Sequence, residues 1–161
     1  TAETLMIRIT TDSRGYCGGP MGEGELLHGD VTRRVIGAFY HVYNRLGHGF
    51  LESVYQKALA NTLERTGTRV HREAPISVEF EGTIHGNFRA DLVVEERLIV
   101  EVKTVERLGS VHEAQLLNYL RVSGLQVGLL LNFGPKATYR RLINARVNQG
   151  VYPGVERPAP T

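Results

Sequence analysis

The residues best able to do chemistry fall in two short runs near the middle of the chain. One reads Arg89-Ala90-Asp91-Leu92-Val93-Val94, the other Ile99-Val100-Glu101-Val102-Lys103. Both have the composition of strands, and side chains alternate along a strand. Glu101 and Lys103 therefore share one face, and Val100 and Val102 the other. The link Glu95-Glu96-Arg97 is short and polar, as in a hairpin. With all three residues in the loop, Val94 pairs with Leu98, Val93 with Ile99 and Asp91 with Glu101. The two carboxylates then face each other, with Lys103 two residues along. With only Glu95 and Glu96 in the loop, Ala90 falls opposite Glu101 and Asp91 points to the other face. Any joint chemistry depends on the first register, or on a bulge that restores it. Facing carboxylates repel, and one takes up a proton unless a cation sits between them. Mg²⁺ suits such a pair, because it takes one or two carboxylates and completes its shell with water and phosphate oxygens. It also lowers the pKa of bound water and neutralises charge that develops on phosphate. A neighbouring lysine would orient that water or offset the charge. The plainer alternative is an amphipathic hairpin with a solvated charged face.

Two further groups have reactive side chains at helical spacing. In Gly47-His48-Gly49-Phe50-Leu51-Glu52-Ser53-Val54-Tyr55, Glu52 lies in the first turn of a helix. The free N–H groups and the helix dipole stabilise a carboxylate there, which is by itself a sufficient structural reason for it. The glycines serve a tight turn between helices. In His112-Glu113-Ala114-Gln115-Leu116-Leu117-Asn118-Tyr119, residues 112, 115 and 119 form one polar stripe opposite Leu116, Leu117 and Leu120. That stripe suits hydrogen bonding to substrate or to a reactive water, or simply faces solvent.

The elements that must position these groups follow from periodicity. Val31, Val35, Phe39, Val42, Tyr43 and Leu46 recur at three and four, which predicts a helix capped by Asp30 or Thr32 and ended by Gly47 and Gly49. Phe50, Leu51, Val54, Tyr55, Ala58, Leu59 and Leu63 predict a second helix, stopped at Gly67. The period then changes to that of strands. Arg69 to Glu73 and Ile76 to Phe80 read as two short runs separated by Pro75, followed by a turn at Glu81-Gly82 and a longer strand over Ile84 to Val94. Leu98 to Val102 is the next strand. A helix starts after Gly109 with a capping box in Ser110-Val111-His112-Glu113, and Gly124 terminates it. Gln126 to Phe133 is an apolar run suited to burial on both faces. Thr138 to Ala145 reads as a last strand or a short helix. The order predicts a mixed α/β domain with a central sheet flanked by helices.

Length and composition set the outer limits. The chain has 161 residues, 42% of them hydrophobic and 22% charged, which suits one globular domain. Runs such as Leu129-Leu130-Leu131 fall far short of the ~20 residues of a membrane helix. The lone Cys17 cannot form an internal disulfide or a cysteine-caged zinc site. The six histidines show no pair at the i, i+4 ligand spacing. No basic-then-apolar leader opens the sequence, and a reducing, cytoplasmic setting is the expectation. Residues 1–30 hold two arginines against five acids, net −3, which leaves +5 on the remainder. Of the 19 basic residues only Lys57, Lys103 and Lys136 are lysine. Arginine suits phosphate, because its planar fork bonds two oxygens at once. The expected organisation is a loop-rich extension over 1–30, with Met21 a candidate natural start, a domain over 31–148, and a proline-containing tail over 149–161.

Taken together, these motifs resemble the GxxExxY family, a group within the PD-(D/E)XK nuclease superfamily. Gly49, Glu52 and Tyr55 stand at the positions that name it. The resemblance continues through Phe88 to Val94, Ile99 to Lys103, His112 to Leu120 and Gly128 to Gly134. It covers roughly Val31 to Ile143. It implies a restriction-endonuclease-like α/β core, a mixed sheet with flanking helices in αβββαβ order. It also implies roles: Asp91, Glu101 and the Val102 carbonyl as ligands of Mg²⁺ or Mn²⁺, Glu52 approaching the metal directly or through water, and Lys103 positioning or activating the water. Gln115 and Tyr119 match the Q-x-x-x-Y pattern of lambda-exonuclease-like members, which arranges the site and the nucleic acid strand. Ala90 replaces the proline of the superfamily's name, a residue outside the chemistry. Arg89, His112 and Tyr55 are further candidates for contact with the nucleic acid.

The function that these residues lead to is a metal-dependent nuclease acting on nucleic acid, with DNA the expected substrate and no membrane partner; the resemblance alone adds a homodimer as a possible assembly. The alternative is a nucleic-acid-binding or assembly module that keeps the fold with little or no turnover. It is motivated by the modest charge of the domain. A hydrolase of smaller phosphate esters is a third reading.

Overall fold

The computed structural model describes residues 27–81 and 83–145. The Gly-rich stretch over 11–24, the candidate start at Met21 and the tail after Gln149 lie outside the described residues. Two hydrophobic periods divide what is described. Helices α1 (Gly29–Leu46) and α2 (Glu52–Glu64) are followed by strands β1 (Val70–Phe80), β2 (Thr83–Val94) and β3 (Leu98–Lys103). Helix α3 (Ser110–Ser123) then leads to β4 (Val127–Asn132) and β5 (Thr138–Ile143). The strands form one five-stranded sheet in the order β1-β2-β3-β4-β5. Three pairings are antiparallel. Only β3 and β4 run parallel, and their connection needs a crossover, which α3 provides. This is the expected α/β architecture, with one helix ahead of the αβββαβ order and one strand after it. Among the described residues no helix is long and apolar enough to cross a membrane.

Helices cover both faces of the sheet, and each face buries its own cluster. Val31, Val35, Phe39 and Val42 of α1 and Tyr55, Leu59 and Leu63 of α2 meet Leu92, Val100, Val102, Leu129 and Leu131 on one face. Leu116, Tyr119 and Leu120 of α3 meet Ile99, Val93, Ala90 and Leu130 on the other. The first cluster is centred on aromatics. Phe133 packs edge-on to Phe39 at 4.8 Å and stacks on Tyr55 at 4.3 Å between ring centroids. Such pairs contribute about 0.5–1.5 kcal/mol each beyond their buried area.

Three boundaries differ from the sequence reading, and a fourth segment takes one of its two expected forms. The runs on either side of Pro75 are one continuous strand, with Pro75 opposite Arg89. Because β1 is an edge strand, the missing N–H removes no bond to a further neighbour. The segment from Thr138 is a strand, since its backbone completes the edge beside β4. Helix α1 starts earlier than expected, at Gly29, with His28 as N-cap and no side-chain cap. Asp30 lies within its first turn, and Thr32 is buried. Helix α3 is capped one residue earlier than the box Ser110 to Glu113 implies. Gly109 is the N-cap, its N–H donates to His112 Nδ1 at 3.0 Å, and Glu113 pairs with Arg140 at 3.0 Å instead.

The hairpin β1–β2 carries a break in its alternation. Leu92 and Val94 face the α1–α2 cluster, whereas Ala90 and Val93 face α3, although they are three residues apart. In β1, Val70 packs on the first cluster and Ala74 and Ile76 on the second, although all three share one parity. Both strands therefore exchange faces between these positions. The ladder skips one pair there, Glu73 and Asp91, and Glu73 has a φ of 48°. Register is unchanged on either side, so this is a kink shared by both strands without an inserted residue. A left-handed non-glycine residue inside a strand marks stored strain, which is found where a side chain must be re-aimed.

The exit of β3 is pinned from β4. Asn132, fully buried, accepts N–H bonds from Val105 (2.9 Å) and Gly134 (3.2 Å) and donates to the Val105 carbonyl (2.8 Å). Gly134 lies against the same carbonyl, where a Cβ would overlap its oxygen. Gly134→Ala is therefore expected to destabilise the fold by about 1–3 kcal/mol or more, since backbone must move to admit the methyl group. Gly37, inside α1 with open space around it, is the control. Gly37→Ala should stabilise by roughly 0.5–1 kcal/mol. Urea unfolding of the two variants beside the parent reads both signs.

Candidate active site

Strands β2 and β3 pair through Leu92–Val100, Val93–Ile99 and Val94–Leu98, across the three-residue turn Glu95-Glu96-Arg97. The ladder stops at the next pair, Asp91 and Glu101. There side chains replace the backbone partners. The Val102 N–H donates to Asp91 Oδ2 at 2.7 Å, and the Asp91 N–H donates to Glu101 Oε1 at 3.3 Å. Beyond that point β2 is paired only with β1. The two acids thus sit in a fork where the sheet divides, joined through each other's strand. Continuing from Ile99, Glu101 and Lys103 lie on the α3 side of β3, and Lys103 Nζ is 3.7 Å from Glu101 Oε2.

Helix α2 closes the fork from the opposite face. Glu52 is its first residue and is near enough to Asp91 for their charges to interact. Gln56, one turn on, is near enough to Asp91 to favour its charged form. Sequence reasoning passed over Gln56. Its position at i+4 from Glu52, on the same helix face, was the available signal. From α3, Gln115 Nε2 donates to the Tyr119 hydroxyl at 3.0 Å, so this polar pair is pre-formed on the other face.

Burial sets the electrostatics. Glu101 is only 2% exposed, and its carboxyl is pushed up to about 8, first by burial and then by the neighbouring Asp91 charge. Lys103 works in the opposite direction. Asp91 is also raised above its ordinary value, again by burial foremost. The Val102 N–H and Lys103 oppose that shift, and the Glu52 charge adds to it. With both acids ionised, one ammonium under-compensates them, and a divalent cation would favour that ionised pair. The donors are carboxylate oxygens, with lone pairs left over after the two backbone bonds, which fits a hard ion such as Mg²⁺. Among the described residues no three His, Cys, Asp or Glu side chains gather as a ready-made ligand set. A cation here would therefore rely on Asp91, Glu101, water and substrate oxygens, the mixed shell that Mg²⁺ favours.

The remaining sequence candidates are placed as follows. Tyr55 is fully buried, so it cannot touch nucleic acid as the sequence reading proposed. Its hydroxyl donates to the Gly47 carbonyl at 2.7 Å and accepts the Phe50 N–H at 3.2 Å. That clips the turn between α1 and α2, in which Gly49 takes a φ of 109°. The spacing of Gly49, Glu52 and Tyr55 thus has a local reason: the tyrosine anchors the turn from which the helix presents its glutamate. His112 is half-buried, with Nδ1 occupied at the start of α3. Arg89 is exposed on β2, 3.7 Å from Glu73. The Val102 side chain is buried in the core, and its N–H is held by Asp91.

The sequence matches the family model of the PD-(D/E)XK nuclease superfamily over residues 29–142. No curated protein matches the chain. Among solved structures it is similar to the crystal structure of SSO0001, at 18% identity and a TM-score of 0.46, over 71% of this chain and 57% of that one. It is also similar to an alkaline exonuclease (LHK-Exo) from Laribacter hongkongensis, at 10% identity and a TM-score of 0.45, over 78% of this chain and 77% of that one.

The raised carboxyl of Glu101 makes stability of the metal-free protein depend on pH. Between its ordinary value of 4.5 and about 8, the unfolded chain has lost the proton that the folded chain keeps. The folded state then binds more protons, so stability falls as pH rises through this window and levels off above it. Glu101→Gln removes the dependence. With a chelator present, the variant's gain over the parent should be smallest near about pH 5 and widen toward about pH 8, by at most about 1.4 kcal/mol per pH unit. Denaturant midpoints across the range measure it, and a constant gap would mean that Glu101 is ionised throughout.

Proposed function

The chain belongs to the PD-(D/E)XK nuclease superfamily, and from that premise we propose that it is a divalent-metal-dependent nuclease with DNA as its substrate. The observation that carries this reading is the buried pair Asp91 and Glu101 in the fork of the sheet, with Lys103 Nζ 3.7 Å from Glu101. Gly49, Glu52 and Tyr55 further support assignment to the GxxExxY group.

Asp91, Glu101 and the Val102 carbonyl are the groups that would hold Mg²⁺ or Mn²⁺, with Glu52 beside them. When bound, the cation supplies Lewis acidity, which favours hydroxide over water and offsets charge on the phosphate. The chain's own residues do the rest. Lys103, fixed by its ion pair with Glu101, orients the attacking water and faces the phosphate with positive charge. The hydrolysis forms one phosphorus–oxygen bond and breaks another, and the leaving oxygen takes a proton from solvent. Gln56 restrains the Asp91 carboxylate from the α2 side. Gln115 and Tyr119, already bonded to each other, offer a donor and an acceptor to the strand from the α3 side.

The test is cleavage of single- and double-stranded DNA and RNA with Mg²⁺ or Mn²⁺. The parent should cut DNA only with the metal present. Asp91→Ala, Glu101→Ala and Lys103→Ala should each lower the rate by about 10²-fold or more while circular dichroism shows them folded. Absence of cleavage on every substrate, together with no metal binding by calorimetry, would overturn the proposal. Binding without cleavage that survives the two acid substitutions would instead favour a module without turnover.

A further inference from the structure

Helix α2 has two working sides. Tyr55, Leu59 and Leu63 are buried in the core. The stripe Ser53, Gln56, Lys57, Ala60, Asn61 and Glu64 recurs at three and four residues and lines two adjoining depressions beside β1. These measure about 760 and about 470 Å³, and Lys57 and Arg72 line both. They form one groove along about 17 Å of helix, at 1.5 Å per residue. One end includes Gln56, one turn beyond Glu52, and Arg89, two residues before Asp91.

The lining has a definite chemistry. Lys57 and Arg72 are exposed, and among the described residues neither pairs with a carboxylate. Val70 and Pro75 add apolar surface beside the cations. Cations beside small apolar surface suit a ligand with alternating phosphates and sugars. A duplex would need a broad basic face across two backbones. Here the formal net charge beyond residue 30 is a modest +5, and Lys57 and Arg72 line a recess between one helix and an edge strand. We infer that the groove between α2 and β1 holds the backbone of a single nucleic-acid strand, with Lys57 and Arg72 on phosphates next to the bond presented to Asp91 and Glu101. This rests on the nuclease reading and adds to it the path of the strand and the single-stranded form of the substrate. Glu64 lines the far depression and Glu73, 3.7 Å from Arg89, the near one, so the phosphates are assigned to Lys57 and Arg72 between them.

The experiment is fluorescence anisotropy with the full chain, a labelled short single-stranded DNA and a labelled hairpin duplex, in chelator so that nothing is cut. Affinity for a single strand falls with salt at a slope of about −0.7 per neutralised phosphate. Lys57→Ala combined with Arg72→Ala should make that slope shallower by about 1.4 and weaken single-strand binding roughly tenfold. Arg33→Ala combined with Arg121→Ala removes the same charge from exposed positions on α1 and α3, and should leave the slope within error of the parent. Equal losses in the two double variants, or none in either, would overturn the groove while leaving the nuclease reading intact. Preference of the parent for the duplex would overturn the single-strand assignment. A parent that binds neither probe and cuts no substrate with Mg²⁺ or Mn²⁺ would remove the nuclease reading, and this inference with it.

Discussion

The hydrogen bond from the Val102 N–H to the Asp91 carboxylate is the interaction on which the site depends. A strand in mid-sheet must satisfy its backbone donors, and the ordinary way is to continue the ladder. Here an acid does so at 2.7 Å, which lets β2 leave β3 without orphaning a buried N–H. The Asp91 N–H is matched in turn by Glu101 at 3.3 Å. The fork therefore requires two side-chain acceptors for structural reasons, and the carboxylates that supply them form the candidate metal site. Replacing either removes a ligand and a backbone partner together. An amide in place of the acid retains a hydrogen-bond acceptor and removes the charge, so it separates the two roles better than alanine does.

The kink in β1 and β2 follows from that fork. Side chains before it face one way and after it the other, so the hairpin contributes Leu92 and Val94 to one core and Ala90, Ala74 and Ile76 to the other. A straight hairpin would keep Ala90 and Ala74 on the same face as Leu92 and Val70, so the kink is what transfers that parity from the first cluster to the second. The strain concentrated at Glu73, with its φ of 48°, is compatible with stability because both halves are fixed by packing on either side. Burial of Glu101 is a second unfavourable term placed at the same point. Two opposed clusters, one of them centred on Phe39, Tyr55 and Phe133, keep the acids close despite their repulsion.

Much of this was legible in the residues. A three-residue loop of Glu95, Glu96 and Arg97 predicts the observed pairing of Val93 with Ile99, and alternation along β3 puts Glu101 beside Lys103. The kink was not legible, because the apolar pattern Ala90, Leu92, Val93, Val94 fits a doubly buried strand as well as one that exchanges faces. Pro75 misled for a related reason. A proline breaks a central strand, and nothing local marks Val70 to Phe80 as an edge. Tyr55 was read as a contact residue, but its polar tip and aromatic body serve equally in a core when a turn supplies partners for the hydroxyl. The cap of α3 slipped by one position because His112 can accept a backbone N–H as a glutamate does, and residue-type rules rank it lower.

The placement of the candidate groups on regular elements limits how the site can vary. Asp91, Glu101 and Lys103 sit on strands, and Glu52, Gln56, Gln115 and Tyr119 on helices whose other faces are core. Such groups are held to tighter tolerances than groups on loops. Helix α2 couples the functions most closely, since its buried side meets Phe133 through Tyr55, its first turn presents Glu52, and its outer stripe walls the groove. A rotation of this helix large enough to re-aim Glu52 would also unstack Tyr55 from Phe133 and release the turn held by the tyrosine hydroxyl. The aromatic core thereby fixes the angle at which the glutamate meets the acid pair, and packing far from the chemistry becomes part of the geometry of the site.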